Sequence, residues 1–96
     1  MAAKVIIPAT GEKGSHGTIG MWFKKEGEVV ARGEVLCTME TEKASVEIEA
    51  PCSGILKLIV CPRDTEVSVG DCIAIIGDAG EDISSLEGEF HRTPKR

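Results

Sequence analysis

The feature that most constrains the fold is an internal repeat. Shifted by 37 positions, residues 17–40, "GTIGMWFKKEGEVVARGEVLCTME", lie over residues 54–77, "GILKLIVCPRDTEVSVGDCIAIIG", without a gap. Gly17 meets Gly54, Val30 meets Val67, and Gly33 meets Gly70. Ile19, Met21 and Phe23 meet Leu56, Leu58 and Val60, while Glu34 meets Asp71 and Leu36 meets Ile73. Only three of the 24 pairs are identical, so the case rests on glycines and apolar positions recurring in phase. Two copies are too few for a stacked array. They imply two similar halves sharing one core.

Each half reads as strand, turn, short strand, turn, strand. Ile19, Met21 and Phe23 alternate with Thr18, Gly20 and Trp22, which predicts a half-buried strand with the first set inward. Val46, Ile48 and Ala50 alternate with Glu47 and Glu49, the same signal with charge outward. "KKEGEVV" and "PRDTEVSVGD" are turn-rich, with Gly27 and Gly33 placed where a positive φ is needed. Pro8, Pro51 and Pro62 fall at strand boundaries, where a missing N–H is tolerated. No window of ten or more residues before 79 has a helical period. The expected class is all-β, many short strands forming either a flattened barrel or a sandwich of two small sheets.

After Asp78 the character changes, so the domain is expected over 1–78 and a flexible tail or the start of an interdomain linker over 79–96. Ile83, Leu86 and Phe90 could make one short helical stripe there. A net charge of -5 argues against a nucleic-acid partner, which would need a basic patch. No stretch is long enough to span a membrane, and "MAAKVIIPA" has neither signal-peptide nor transit-peptide character. A cytoplasmic location is expected.

Cys37, Cys52, Cys61 and Cys72 are spaced by 15, 9 and 11 residues, without a C-x-x-C, and His16 and His91 are remote in sequence. They read as reduced thiols, several buried as small apolar groups, with no metal site. The glycine-rich loop "GEKGSHG" (11–17) has Lys13 before Gly14 and a strand after it, which excludes a P-loop but leaves a recognition loop. The carboxylates are scattered, both histidines fall in loop or tail sequence, and no G-x-S-x-G is present. No catalytic residue is assigned, and the domain is not expected to be an enzyme by itself.

Lys43 remains. The apolar strand 35–39 runs in and the alternating strand 46–50 runs out, so 40–43 connects an exposed hairpin where the halves join. A lysine projecting there is open to acylation by a modifying enzyme, and Glu40 and Glu42 offer a charge pattern to read. On residue type and position alone, an ordinary surface lysine is the favoured reading.

The stretch "GTIGMWFKKEGEVVARGEVLCTMETEKASVEIEAPCSGIL" resembles a lipoyl domain of the 2-oxo acid dehydrogenase complexes. The resemblance covers about residues 4–78 and rests on Trp22, Lys25-Glu26-Gly27-Glu28, Gly33-Glu34, Glu40-Thr41-Glu42-Lys43-Ala44, Ala50-Pro51 and Gly54. Glu stands where the family has Asp at 28, 34 and 42, and "CPRDTEV" replaces a glycine-rich turn. The resemblance implies lipoic acid in amide linkage to Lys43, with Glu40, Thr41, Glu42 and Ala44 as recognition residues. It implies two four-stranded sheets with quasi-twofold symmetry, a barrel-sandwich hybrid. The implied partners are a thiamine-diphosphate decarboxylase component, an acyltransferase catalytic domain, dihydrolipoamide dehydrogenase and a lipoate ligase. The chain would be the N-terminal part of a dihydrolipoamide acyltransferase, and the isolated domain a monomer.

Two other readings share the fold class. A biotinyl carrier domain of a carboxylase would place Met on both sides of the lysine, where this chain has Glu42 and Ala44. An unmodified β-sandwich interaction module would leave Lys43 unreacted.

Overall fold

The two copies of the repeat supply six of the eight strands of two four-stranded antiparallel sheets, and each copy gives its short strand to the sheet of the other. The computed structural model describes residues 2–8 and 16–80. The strands are β1 (Ala3–Ile6), β2 (His16–Trp22), β3 (Val29–Val30), β4 (Val35–Glu40), β5 (Ser45–Glu49), β6 (Gly54–Ile59), β7 (Glu66–Ser68) and β8 (Cys72–Gly77). One sheet has the order β1-β8-β6-β3 and the other β5-β4-β2-β7. They face each other as a sandwich without closing into a barrel. Thus β3, from the first copy, pairs with β6, and β7, from the second, pairs with β2.

The quasi-twofold relation holds down to single hydrogen bonds. Gly27 N donates to Leu56 O at 2.7 Å, and its equivalent, Asp64 N, donates to Ile19 O at 2.8 Å. Ala31 N donates to the Glu34 carboxylate at 3.0 Å, and Ser68 N to the Asp71 carboxylate at 2.8 Å. Both second turns need a left-handed residue and use Gly33 (φ 86°) and Gly70 (φ 95°). In the first turns Gly27 has φ 96°, whereas the second copy places Asp64 there at φ 74°. Aspartate tolerates this region better than most side chains, which is how "CPRDTEV" keeps the turn without a glycine.

The core between the sheets is aliphatic: Val5, Ile7, Ile19, Val30, Leu36, Met39, Ile48, Leu56, Ile73 and Ile76 are all buried, together with Cys37. Trp22 closes it at one side, its Nε1 donating to Cys61 O at 3.0 Å. The alternation read for β5 holds, with Ile48 buried, Val46 half-buried and Glu47 and Glu49 exposed.

The alternation read for β2 fails after Ile19. Thr18, Ile19 and Trp22 pair with Glu40, Met39 and Cys37, so one extra residue bulges out of β2 opposite Thr38. The slip reverses the facing of everything beyond it. Trp22 turns towards the core, and Met21 and Phe23, expected inside, are each 53% exposed. One smaller reading also changes. His16 and Gly17 begin β2 instead of ending a loop, while residues 11–15 of that loop lie outside the described residues. So does the stripe expected at Ile83, Leu86 and Phe90.

Candidate functional site

The connection after β4 is a four-residue turn built by one side chain. Glu40 and Ser45 are the last paired residues, so the turn is Thr41–Ala44, one residue later than the sequence suggested. Thr41 N donates to Ala44 O at 2.9 Å, and the Thr41 hydroxyl donates to the same oxygen at 2.8 Å. That hydroxyl also accepts from Ala44 N at 3.0 Å and Lys43 N at 3.3 Å. A short polar side chain thus does what a backbone carbonyl usually does in a turn. Glu42 and Lys43 are left at the two corners, both exposed. No hydrogen bond or ion pair with a described residue engages the Lys43 ammonium.

The root of the hairpin is fixed by two glycines of β2. A Cβ on Gly17 would lie 2.3 Å from Glu40 O, and one on Gly20 would lie 2.4 Å from Thr38 Oγ1 and 2.9 Å from Glu40 Oε2. Only hydrogen at both positions lets β4 and the Glu40 side chain approach β2 this closely. The Glu40 carboxylate is then held over Gly20 by hydroxyl donors from Ser45 and Thr38. Beside it, His16, Thr18, Thr41, Glu42 and Glu66 complete an open cleft of about 260 Å³.

The structure brings Glu40, Thr41, Glu42, Lys43 and Ala44 together, and it divides their work. Thr41 and the Ala44 backbone form the turn, Glu40 is pinned at its root, and Glu42 flanks the lysine. Gly20, Thr38 and Ser45 were not singled out in the sequence. Their role becomes legible only once the β2–β4–β5 register is known.

Two of the thiols, Cys37 and Cys61, are unsuited to nucleophilic chemistry. Burial pushes Cys37 up to about 12, with Cys61 adding to it, and burial, then Asp71 and Cys72, pushes Cys61 to about 11. Such groups are protonated near neutrality and are poor nucleophiles. Among the described residues no cluster of His, Cys, Asp and Glu could hold a metal ion, and no helix is long and apolar enough to cross a membrane.

A domain of two interleaved sheets that projects one lysine from a clamped hairpin defines a class of carrier for covalently bound cofactors. Residues 3–76 match the model of the family described as biotin-requiring enzyme. The chain belongs to this biotinyl/lipoyl-attachment family, and within it to the lipoyl domains, in which lipoic acid is attached covalently to a lysine. The solution structure of the lipoyl domain of the 2-oxoglutarate dehydrogenase complex from Azotobacter vinelandii is similar, with a TM-score of 0.60 and 30% identity. The match covers 77% of this chain and 96% of that one. The succinyltransferase component of the 2-oxoglutarate dehydrogenase complex of Rickettsia bellii is 37% identical over 93% of this chain and 22% of its own length. The acetyltransferase component of the pyruvate dehydrogenase complex of Zymomonas mobilis is 38% identical over 90% and 20%. The chain therefore spans about a fifth of the length of these relatives. Urea carboxylase of Kluyveromyces lactis has a TM-score of 0.68 over 80% of the chain at 21% identity, a likeness of fold alone.

Proposed function

We propose that Lys43 is the lysine that carries lipoic acid, and that the chain moves acyl groups and reducing equivalents between the active sites of a 2-oxo acid dehydrogenase complex. The observation that carries this reading is a single exposed lysine at the corner of a turn that the Thr41 side chain and the Ala44 backbone hold closed. In amide linkage to Lys43 Nζ, lipoic acid supplies an acyl-accepting, two-electron dithiolane. The chain's own residues present and mark the site. The Thr41 clamp fixes the direction in which Lys43 leaves the surface. The pinned Glu40 carboxylate and the exposed Glu42 give a modifying ligase two negative charges beside the lysine to read. Tethering replaces free diffusion with a high effective concentration at each active site.

The same proposal includes the thiamine-diphosphate decarboxylase, the acyltransferase catalytic domain, dihydrolipoamide dehydrogenase and a lipoate ligase as partners. It also includes a parent dihydrolipoamide acyltransferase, a domain over 1–78, and the cytoplasm as its location. Its test is intact-mass spectrometry after incubation with lipoate, ATP and a lipoate ligase. One lipoyl group is expected on the wild type and none on Lys43→Arg. An unmodified wild type, or a group that persists on Lys43→Arg, would refute the reading. A parallel incubation with a biotin ligase is expected to leave the chain unchanged, because Glu42 and Ala44 stand where biotin acceptors place methionine. Glu42→Lys should slow lipoylation while leaving the melting temperature within about 2 °C, since the change is at an exposed turn.

A further inference from the structure

We propose that the outer face of the sheet β5-β4-β2-β7 is a second interaction surface, which seats an apolar hollow rimmed with lysine and arginine on the decarboxylase component that acylates the arm. This rests on the carrier reading above, and its test separates the two. The starting observation is that Met21, in the bulge of β2, and Phe23, just past the end of that strand, are each 53% exposed. Met21 N donates to Thr38 Oγ1 at 3.1 Å, which sets Met21 against the middle of β4, and Thr38 pairs with Glu47 on β5.

Charge is segregated between the sheets. The strands β2, β4, β5 and β7 carry Glu40, Glu47, Glu49 and Glu66 and not one Lys or Arg. The strands β1, β3, β6 and β8 carry Lys4 and Lys57 and not one Asp or Glu. The nearest cation in sequence, Lys24, is drawn away by Glu34 at 3.1 Å and Val29 O at 3.3 Å. Along its strands the face is therefore apolar at Met21 and anionic around it, with Glu47 beside Thr38 and Glu66 beside Thr18. A second copy of the chain is a poor occupant, because a face-to-face contact would set like carboxylates against one another. A cationic rim around an apolar hollow is the complement: the rim charges steer the approach, and burial of Met21 and Phe23 supplies affinity. The distance along β4 suits this purpose, because Thr38 and Thr41 are about 10 Å apart at about 3.3 Å per residue. An enzyme seated on the patch would have the hairpin tip at its edge.

The experiment uses the full chain, lipoylated, with the purified decarboxylase components of a pyruvate and a 2-oxoglutarate dehydrogenase complex. The rate of reductive acylation is followed against carrier concentration. With the component that acylates the wild type, Met21→Ser/Phe23→Ser should raise KM for the carrier about tenfold at unchanged kcat. Glu47→Lys should raise it about threefold and flatten its rise with salt. Thermal melts near that of the wild type would verify folding of both variants. KM within about twofold of wild type for both variants would overturn the proposal. So would acylation by neither component, or a concentration-dependent dimer that Phe23→Ser abolishes. Failure of the wild type to take up a lipoyl group would instead overturn the carrier reading itself.

Discussion

Met21 and Thr38 in one sheet hold the places that Leu58 and Ile75 hold in the other, and the two pairs have opposite surroundings. Both sheets carry a one-residue bulge at this point, opposite Thr38 in one and Ile75 in the other. Neither Leu58 nor Ile75 belongs to the cluster between the sheets, yet they are 2% and 0% exposed. Met21 is more than half exposed. The inward positions behave alike: Ile19 and Leu56 are equivalent and equally buried, as are Leu36 and Ile73. The repeat therefore fixes the inside of the molecule twice over and leaves the outer faces free to diverge. The turn that presents Lys43 is one of the divergent parts, since Asp78, Ala79 and Gly80 stand where Thr41, Glu42 and Lys43 stand in the first copy.

The comparison is broken most sharply by placing a charge at both outer positions. Leu58→Asp should lose at least about 4 kcal/mol in chemical denaturation, because it buries an unpaired carboxylate, whereas Met21→Asp should stay within about 0.5 kcal/mol. Equal losses would mean that the two faces are equally covered. The inner positions should instead match. Ile19→Ala and Leu56→Ala are each expected to remove about 2–5 kcal/mol, with the two values close together. At the Thr41–Ala44 turn, Thr41→Val should cost about 1 kcal/mol by the same measurement and raise hydrogen exchange at Lys43 and Ala44, while Thr41→Ser retains the hydroxyl and the protection. The smallest effect separates the two first turns. Asp64→Gly relieves a left-handed aspartate and should be neutral or stabilising by up to about 1 kcal/mol, whereas Gly27→Asp should destabilise by about the same amount.

Much of this was legible in the sequence, for definite reasons. The phase of Gly17, Gly33, Gly54 and Gly70 reported the twofold, because glycine recurs where turns and close approaches recur. The hairpin was legible because Val46, Ile48 and Ala50 keep strict alternation after it. The inward reading of Met21 and Phe23 failed because a bulge adds a residue without a required residue type, and alternation cannot count across it. The seat of Glu40 was invisible for another reason: its parts, Gly20, Thr38 and Ser45, come from three strands and meet only through register.

The exchange of β3 and β7 between the sheets also sets how the chain can fold. Neither copy of the repeat can complete a sheet alone, because each lacks the short strand that its counterpart supplies. A nascent chain that ends before Glu66 leaves the β2 edge open, with its backbone donors and acceptors unpaired. Closure must await contacts distant in sequence, so folding is slow for a domain of this size and comes in one cooperative step. The hairpin that presents Lys43 is complete by Glu49, but its base is closed only when β7 docks on β2, some twenty residues later in synthesis.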